Sequence, residues 1–166
     1  MKRVTVPNAE LFSEVRRLIA EGREVTILAR GSSMLPFIRD GVDKVLLAPV
    51  TGRKTAGGTG PASAGPAAFS VGDILLCEVA PGRFVLHRLI GIDGGRLILM
   101  GDGNLRGTES CTPAEVIAGA VRILHPDGTA TDCTSPSELR KARIWRRLLP
   151  FRRILLAVWR RTRRAR

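Results

Sequence analysis

Apolar residues recur at helical spacing near the two ends of this 166-residue chain and in short, turn-bounded runs between them. Leu11, Val15 and Leu18 share one face of a helix predicted over about residues 9 to 21, with Asn8 placed to cap it and Gly22 to end it. Short strands follow at Val25 to Ala29 and Asp43 to Val50, then at about residues 73–79, 84–92, 96–100 and 117–124. Pro81-Gly82, Asp93-Gly94-Gly95 and Gly101 punctuate them. Short strands separated by turn signals predict a mainly β domain, and the Asp93-Gly94 turn predicts a hairpin of 84–92 with 96–100. Near the end, Ile144, Leu148, Phe151, Leu155 and Trp159 return at helical spacing, interrupted by Pro150, which should kink or split the helix.

The segments between these elements divide the chain. Residues 51–68 are rich in Gly, Ala, Pro, Ser and Thr without periodicity and read as a flexible insertion. The β domain is assigned to residues 1–124, a polar linker to 125–138 with Pro126-Asp127-Gly128 as a turn, and a helical tail to 139–166. At this length one hydrophobic core is expected.

Charge follows the same division. The formal net charge is +12. Of the 27 Lys and Arg, 12 lie in residues 139–166, which contain no acid; the other 15 match the 15 acids of residues 1–138. Basicity is therefore a property of the tail, which argues against nucleic acid as a partner of the body. A basic helix with Trp and Leu on one side suits an anionic membrane surface. The alternatives are a helix packed on the body with a solvated basic face, and nucleic-acid binding. Met1–Pro7 has no apolar core of a secretory leader, and no run reaches the ~18 apolar residues of a membrane span. Cys77, Cys111 and Cys133 are odd in number and lack Cys-x-x-Cys spacing, and only two His accompany them. They read as ordinary reduced thiols, and neither a metal nor a cofactor is expected.

Three motifs bear chemistry: Gly31-Ser32-Ser33-Met34-Leu35-Pro36, Leu86-His87-Arg88 and Gly101-Asp102-Gly103-Asn104. They offer a hydroxyl, an imidazole and a carboxylate. A serine hydroxyl needs a base within hydrogen-bond reach, and His, which titrates near neutrality, suits that task. Strand alternation puts Val85, His87 and Leu89 on one face and Leu86, Arg88 and Ile90 on the other, so His87 points away from Arg88.

Together with Gly72-Asp73-Ile74-Leu75, these motifs stand in the order found in the signal peptidase I superfamily, which includes the LexA-like self-cleaving repressors. Residues 25 to 124 resemble that family. The resemblance implies a signal-peptidase-like β fold, Ser33 as nucleophile, and His87 at the position where bacterial-type members carry Lys and the endoplasmic-reticulum and archaeal type carries His. No Lys occurs between Lys54 and Lys141, so the Ser–His branch is the one resembled. The acid that orients the imidazole is expected at Asp102, by motif and by hairpin topology, with Glu109 in reserve. The family's oxyanion is held partly by the nucleophile's own N–H. The side-chain donor that some members add two residues earlier is absent here, because Gly31 stands there. Met34 and Pro36 are expected to shape the turn and a pocket for small residues. His125, before Pro126-Asp127-Gly128, reads as a surface residue.

The resemblance implies a serine endopeptidase acting on a precursor or leader peptide, and the tail suits holding it at a membrane surface. A self-cleaving regulator is less well served: Ala56-Gly57 and Ala64-Gly65 follow Ser33, whereas repressor cleavage sites precede the nucleophile. A catalytically silent peptide-binding module is the remaining alternative.

Overall fold

The computed structural model describes residues 8–50 and 68–164. Most of the 51–68 insertion with its Ala-Gly pairs, and Met1–Pro7, lie outside the described residues. The chain forms α1 (Asn8–Ala20), β1 (Val25–Leu28), β2 (Lys44–Ala48), β3 (Ile74–Ala80), β4 (Arg83–Asp93), β5 (Arg96–Met100), β6 (Glu109–Cys111), β7 (Val116–Leu124), β8 (Ala130–Asp132), α2 (Pro136–Arg147) and α3 (Arg152–Arg164). The strands make one antiparallel sheet in the order β1-β2-β7-β3-β4-β5-β6, with β8 also on β7. The fold is mainly β, as the alternation predicts.

Local chemistry explains the boundaries. α1 ends in a Schellman motif: Arg23 N–H donates to Leu18 O and Gly22 N–H to Ile19 O, with Gly22 at φ 80°. The β4–β5 hairpin turns through Gly94 and Gly95, both at positive φ, which only glycine adopts without cost.

Two apolar clusters fill the two sides of the sheet. One joins Val15 and Ile19 of α1 to Val45, Leu47, Leu76 and Ala120, with Phe84 and Leu86 packed against it. The other joins Phe69, Leu75, Cys77, Leu89, Leu97 and Cys111. Consecutive residues of β4 therefore serve opposite sides, and the sheet curls enough for β6 to approach β3.

The stretch read as a linker, 125–138, contains β8 and the start of α2. Its Asp127-Gly128 turn reverses the chain so that Ala130, Thr131 and Asp132 pair with Leu124, Ile123 and Arg122. The two core clusters named above hold no residue of residues 125–138 except Cys133. His125 is not a surface residue. Its ring bonds Asp43 Oδ1 at 2.9 Å and Thr131 Oγ1 at 2.8 Å, and its side chain is 20% exposed. The fully buried Asp43 also accepts Arg39 N–H at 2.7 Å and the Arg39 guanidinium at 2.6 Å. Burial pushes the Asp43 carboxyl up, but the hydrogen bonds from Arg39 and His125 outweigh it and hold the group below the usual carboxylate range.

The basic tail folds as two helices. Pro150 splits them through a single turn of 3-10 helix, Leu149–Phe151. They are docked on the body through buried Ala142, Arg152 and Leu156 and through Trp145, whose Nε1 donates to Asp102 O at 2.8 Å. The docked positions Ala142, Trp145, Leu149, Arg152 and Leu156 keep helical spacing across the 3-10 turn, so the face on the body runs beside the predicted stripe rather than along it. Leu148, Leu155 and Trp159 of the predicted stripe are half-buried, whereas Ile144 and Phe151 are exposed together with Ile154 and Val158. No helix among the described residues is long and apolar enough to cross a membrane.

Candidate functional site

Ser33 follows the edge strand β1 in a tight, non-helical turn that starts at Gly31, whose φ of 88° excludes ordinary side chains. Gly31 N–H donates to Asp40 Oδ1 at 2.9 Å, and Leu35 N–H donates to Ser32 O at 3.2 Å. Met34 points inward and is 4% exposed; Ser33 is half-buried.

The Gly101–Asn104 turn seats this loop. Gly103 N–H donates to Ser33 O at 2.7 Å. A methyl group on Gly101 would lie 2.4 Å from Ser33 O, and one on Gly103 would lie 2.3 Å from Ser32 O. Both glycines are thus required by close backbone approach, a stronger constraint than turn composition.

His87 and Arg88 then divide the work of β4. His87 is 5% exposed, and its Nδ1 lies 3.0 Å from Glu109 Oε2. A carboxylate only accepts hydrogen bonds, so Nδ1 carries a proton, and in the neutral imidazole Nε2 then holds the lone pair. Arg83 Nη2 donates to the other oxygen of Glu109 at 3.3 Å, at the rim. Arg88 turns the other way. Its Nε and Nη2 donate to Asp102 at 2.6 to 3.0 Å, its Nη1 donates to Gly72 O at 2.8 Å, and its guanidinium lies over the Phe37 ring. One buried cation therefore ties the Gly72-Asp73 turn, the Asp102 turn and the residue after Pro36 together.

Asp102, expected beside the imidazole, is placed instead with Arg88, and Glu109 takes the place at His87. A β-bulge is the reason. At the turn end of the hairpin, Asp93 faces Arg96, Ile92 faces Leu97 and Gly91 faces Ile98; continued unbroken, that register would set His87 opposite Asp102. The register shifts between Leu89 and Gly91, so that Arg88 faces Met100 and Asp102 falls on the Arg88 face. On the other face Leu89 pairs with Leu99, and Leu99 with Glu109, which brings Glu109 diagonally to His87. β6, which carries Glu109, is three residues long and gave no periodic signal in the sequence.

Ser33 and His87 line one cavity of about 230 Å³. Its other walls are chiefly apolar, from Leu11 and Phe12 of α1, Ile27 of β1, Met34, Phe84 and Leu86. Pro36 does not line it. The cavity reaches both faces of β4 because β5 pairs only with the strand from Arg88 onward, leaving the Phe84–His87 edge open on that side. Ser33 and His87 share this wall without a hydrogen bond between them. No group of three or more His, Cys, Asp or Glu among the described residues is placed to hold a metal ion.

Comparison with protein-family models, with curated proteins and with solved structures gives no match.

Proposed function

We propose that this chain is a serine endopeptidase of signal-peptidase-like type that cuts a precursor or leader peptide. The observation carrying the proposal is the shared cavity wall of Ser33 and His87, with His87 Nδ1 held by Glu109. That arrangement leaves Nε2 free to take a proton and fixes the tautomer that can do so.

In this reading, Ser33 Oγ attacks the scissile carbonyl as Nε2 accepts its proton. The imidazolium, steadied by Glu109, then protonates the departing amine. Water, deprotonated by the same nitrogen, releases the acyl group from Ser33 and restores the hydroxyl. The Ser33 N–H, in the turn pinned by Gly103, is the donor proposed for the oxyanion. The apolar walls suit small or apolar substrate side chains. The outer edge of β1 carries no strand among the described residues, and it offers backbone groups to an extended peptide.

The exposed Phe151, Ile154 and Val158, with Arg153 and Arg161 alongside, support a peripheral seat of α3 on an anionic membrane surface. The absence of a Ser33–His87 hydrogen bond favours a second reading, a peptide-binding module without turnover. Catalytic hydrogen bonds often tighten only when substrate is bound, so the hydrolytic reading stands first.

The test compares protein N-termini in source cells carrying the wild type or Ser33→Ala. Precursors that lose their processed ends in the variant are expected. An unchanged set of N-termini, with the variant folded and expressed, would contradict the peptidase reading.

A further inference from the structure

A second cavity, of about 400 Å³, lies behind the Asp102 turn, between the β5–β6 connection and the start of the C-terminal helices. Four guanidinium-bearing residues line it: Arg88, Arg106, Arg146 and Arg152. Its walls contain one carboxylate, Asp102, and Arg88 occupies that group with three contacts. Among the described residues, neither Arg106 nor Arg146 has an ion-pair partner, and both are exposed. Three cations therefore face this space uncompensated.

Arg152 is the strongest sign that something belongs here. It is 3% exposed, yet among the described residues it makes no salt bridge with a carboxylate. Its Nη1 donates to Asn104 O at 2.8 Å and more weakly to Gly101 O at 3.4 Å, its Nη2 donates weakly to Trp145 O at 3.5 Å, its guanidinium lies over the Trp145 ring, and its Nε has no hydrogen-bond partner among the described residues. A buried donor left unpaired is destabilising, more so when it is charged. Burial lowers the affinity of this guanidinium for its proton, with Asp102 opposing that effect and Arg88 adding to it. An anion in the cavity would relieve each of these costs, and planar guanidinium forks match the oxygens of a phosphate group.

We infer that the Arg88–Arg106–Arg146–Arg152 cavity is a binding site for a phosphate-bearing anion, supplied either as free phosphate or as the headgroup of an acidic phospholipid. The headgroup source would join this cavity to the exposed apolar residues of α3. The site stands independently of the peptidase reading, since it uses neither Ser33 nor His87.

The experiment uses the full chain and two variants that each remove two exposed charges: Arg106→Gln/Arg146→Gln within the cavity and, outside both the cavity and the exposed face of α3, Arg140→Gln/Arg143→Gln on α2. Calorimetric titration with inorganic phosphate at fixed ionic strength is run beside sedimentation with phosphatidylglycerol and phosphatidylcholine vesicles. The expected result is binding of phosphate, of phosphatidylglycerol vesicles, or of both, weakened about tenfold or more by the cavity pair and about twofold at most by the outer pair. Phosphate binding identifies the free anion as a sufficient ligand; binding confined to acidic vesicles identifies the headgroup. Equal weakening by both pairs, or no binding to either probe, would overturn the inference. Both pairs lie on the surface, so thermal melts should coincide with wild type and exclude misfolding as the cause.

Discussion

Two adjacent residues of β4 lead into regions built on opposite principles. On the Arg88 side, the ion pair with Asp102 is buried on both partners, closed by the Gly72 carbonyl and by the Phe37 ring, and capped by Trp145 on the Asp102 carbonyl. On the His87 side, the imidazole meets Glu109, a partly exposed acid with Arg83 at its rim, and the ring borders a cavity shared with a serine. The Arg88–Asp102 pair has its own polar groups satisfied internally; among the described residues, the second region leaves an imidazole nitrogen and a hydroxyl unpaired next to space. On the proposed reading, the contrast gives stability to Arg88 and Asp102 and chemistry to His87 and Ser33.

That division can be broken experimentally. Ser33→Ala and His87→Ala should each lower peptide cleavage by about a thousandfold or more while leaving the melting temperature nearly unchanged. Precursor cleavage with melting curves on the same samples checks both halves of the statement. On the other side, Arg88→Met strands a buried carboxylate and should cost about 3–5 kcal/mol in denaturant unfolding, with the double variant Arg88→Met/Asp102→Leu recovering much of the loss. A double variant no more stable than the single one would remove the brace interpretation. Gly101→Ala should affect both regions, because its methyl group would collide with Ser33 O. We expect a loss of about 1–3 kcal/mol together with slower cleavage by the folded fraction.

The smallest effect comes from the far end of β2. Because the folded Asp43 carboxyl titrates below its ordinary value of 3.8, its contribution to stability is complete above that value and is lost as pH falls through the folded one. Stability measured from pH 6 down to pH 2 should therefore decline below about pH 4, and the decline should be shallower in Asp43→Asn than in wild type. Parallel profiles would show that Asp43 contributes nothing to this acid sensitivity.

The alternation of apolar residues was enough to reveal α1, the β4–β5 hairpin and the split at Pro150, since each rests on local periodicity or turn chemistry. The short pieces escaped it. β6 and β8 span three residues each, too few for a period, and both depend on pairing with strands distant in sequence. At the site, the sequence placed Ser33 and His87, and strand parity separated His87 from Arg88. Parity alone could not place Asp102, because a single-residue bulge near Ile90 reverses its face; Gly91, an isolated glycine inside the strand, was the signal that could have marked it. Arg88 offered an indirect signal: a charged residue inside an apolar strand demands a buried acid, and Asp102 lies in the next motif. The tail's stripe was mis-phased because the docked face runs through Ala142, Trp145, Leu149, Arg152 and Leu156, where a small residue and a charged one hide the period.

The most direct test asks which acid serves the imidazole, without needing the natural substrate. Purified wild type, His87→Ala, Glu109→Gln and Asp102→Asn would be labelled with a fluorophosphonate, the modified residue located by mass spectrometry, and the rate corrected for folded fraction. The account predicts labelling of Ser33 alone, slowed about a hundredfold or more by His87→Ala and Glu109→Gln and close to wild-type rate in folded Asp102→Asn. Equal slowing by Asp102→Asn and Glu109→Gln, or no labelling of Ser33 in the wild type, would contradict it.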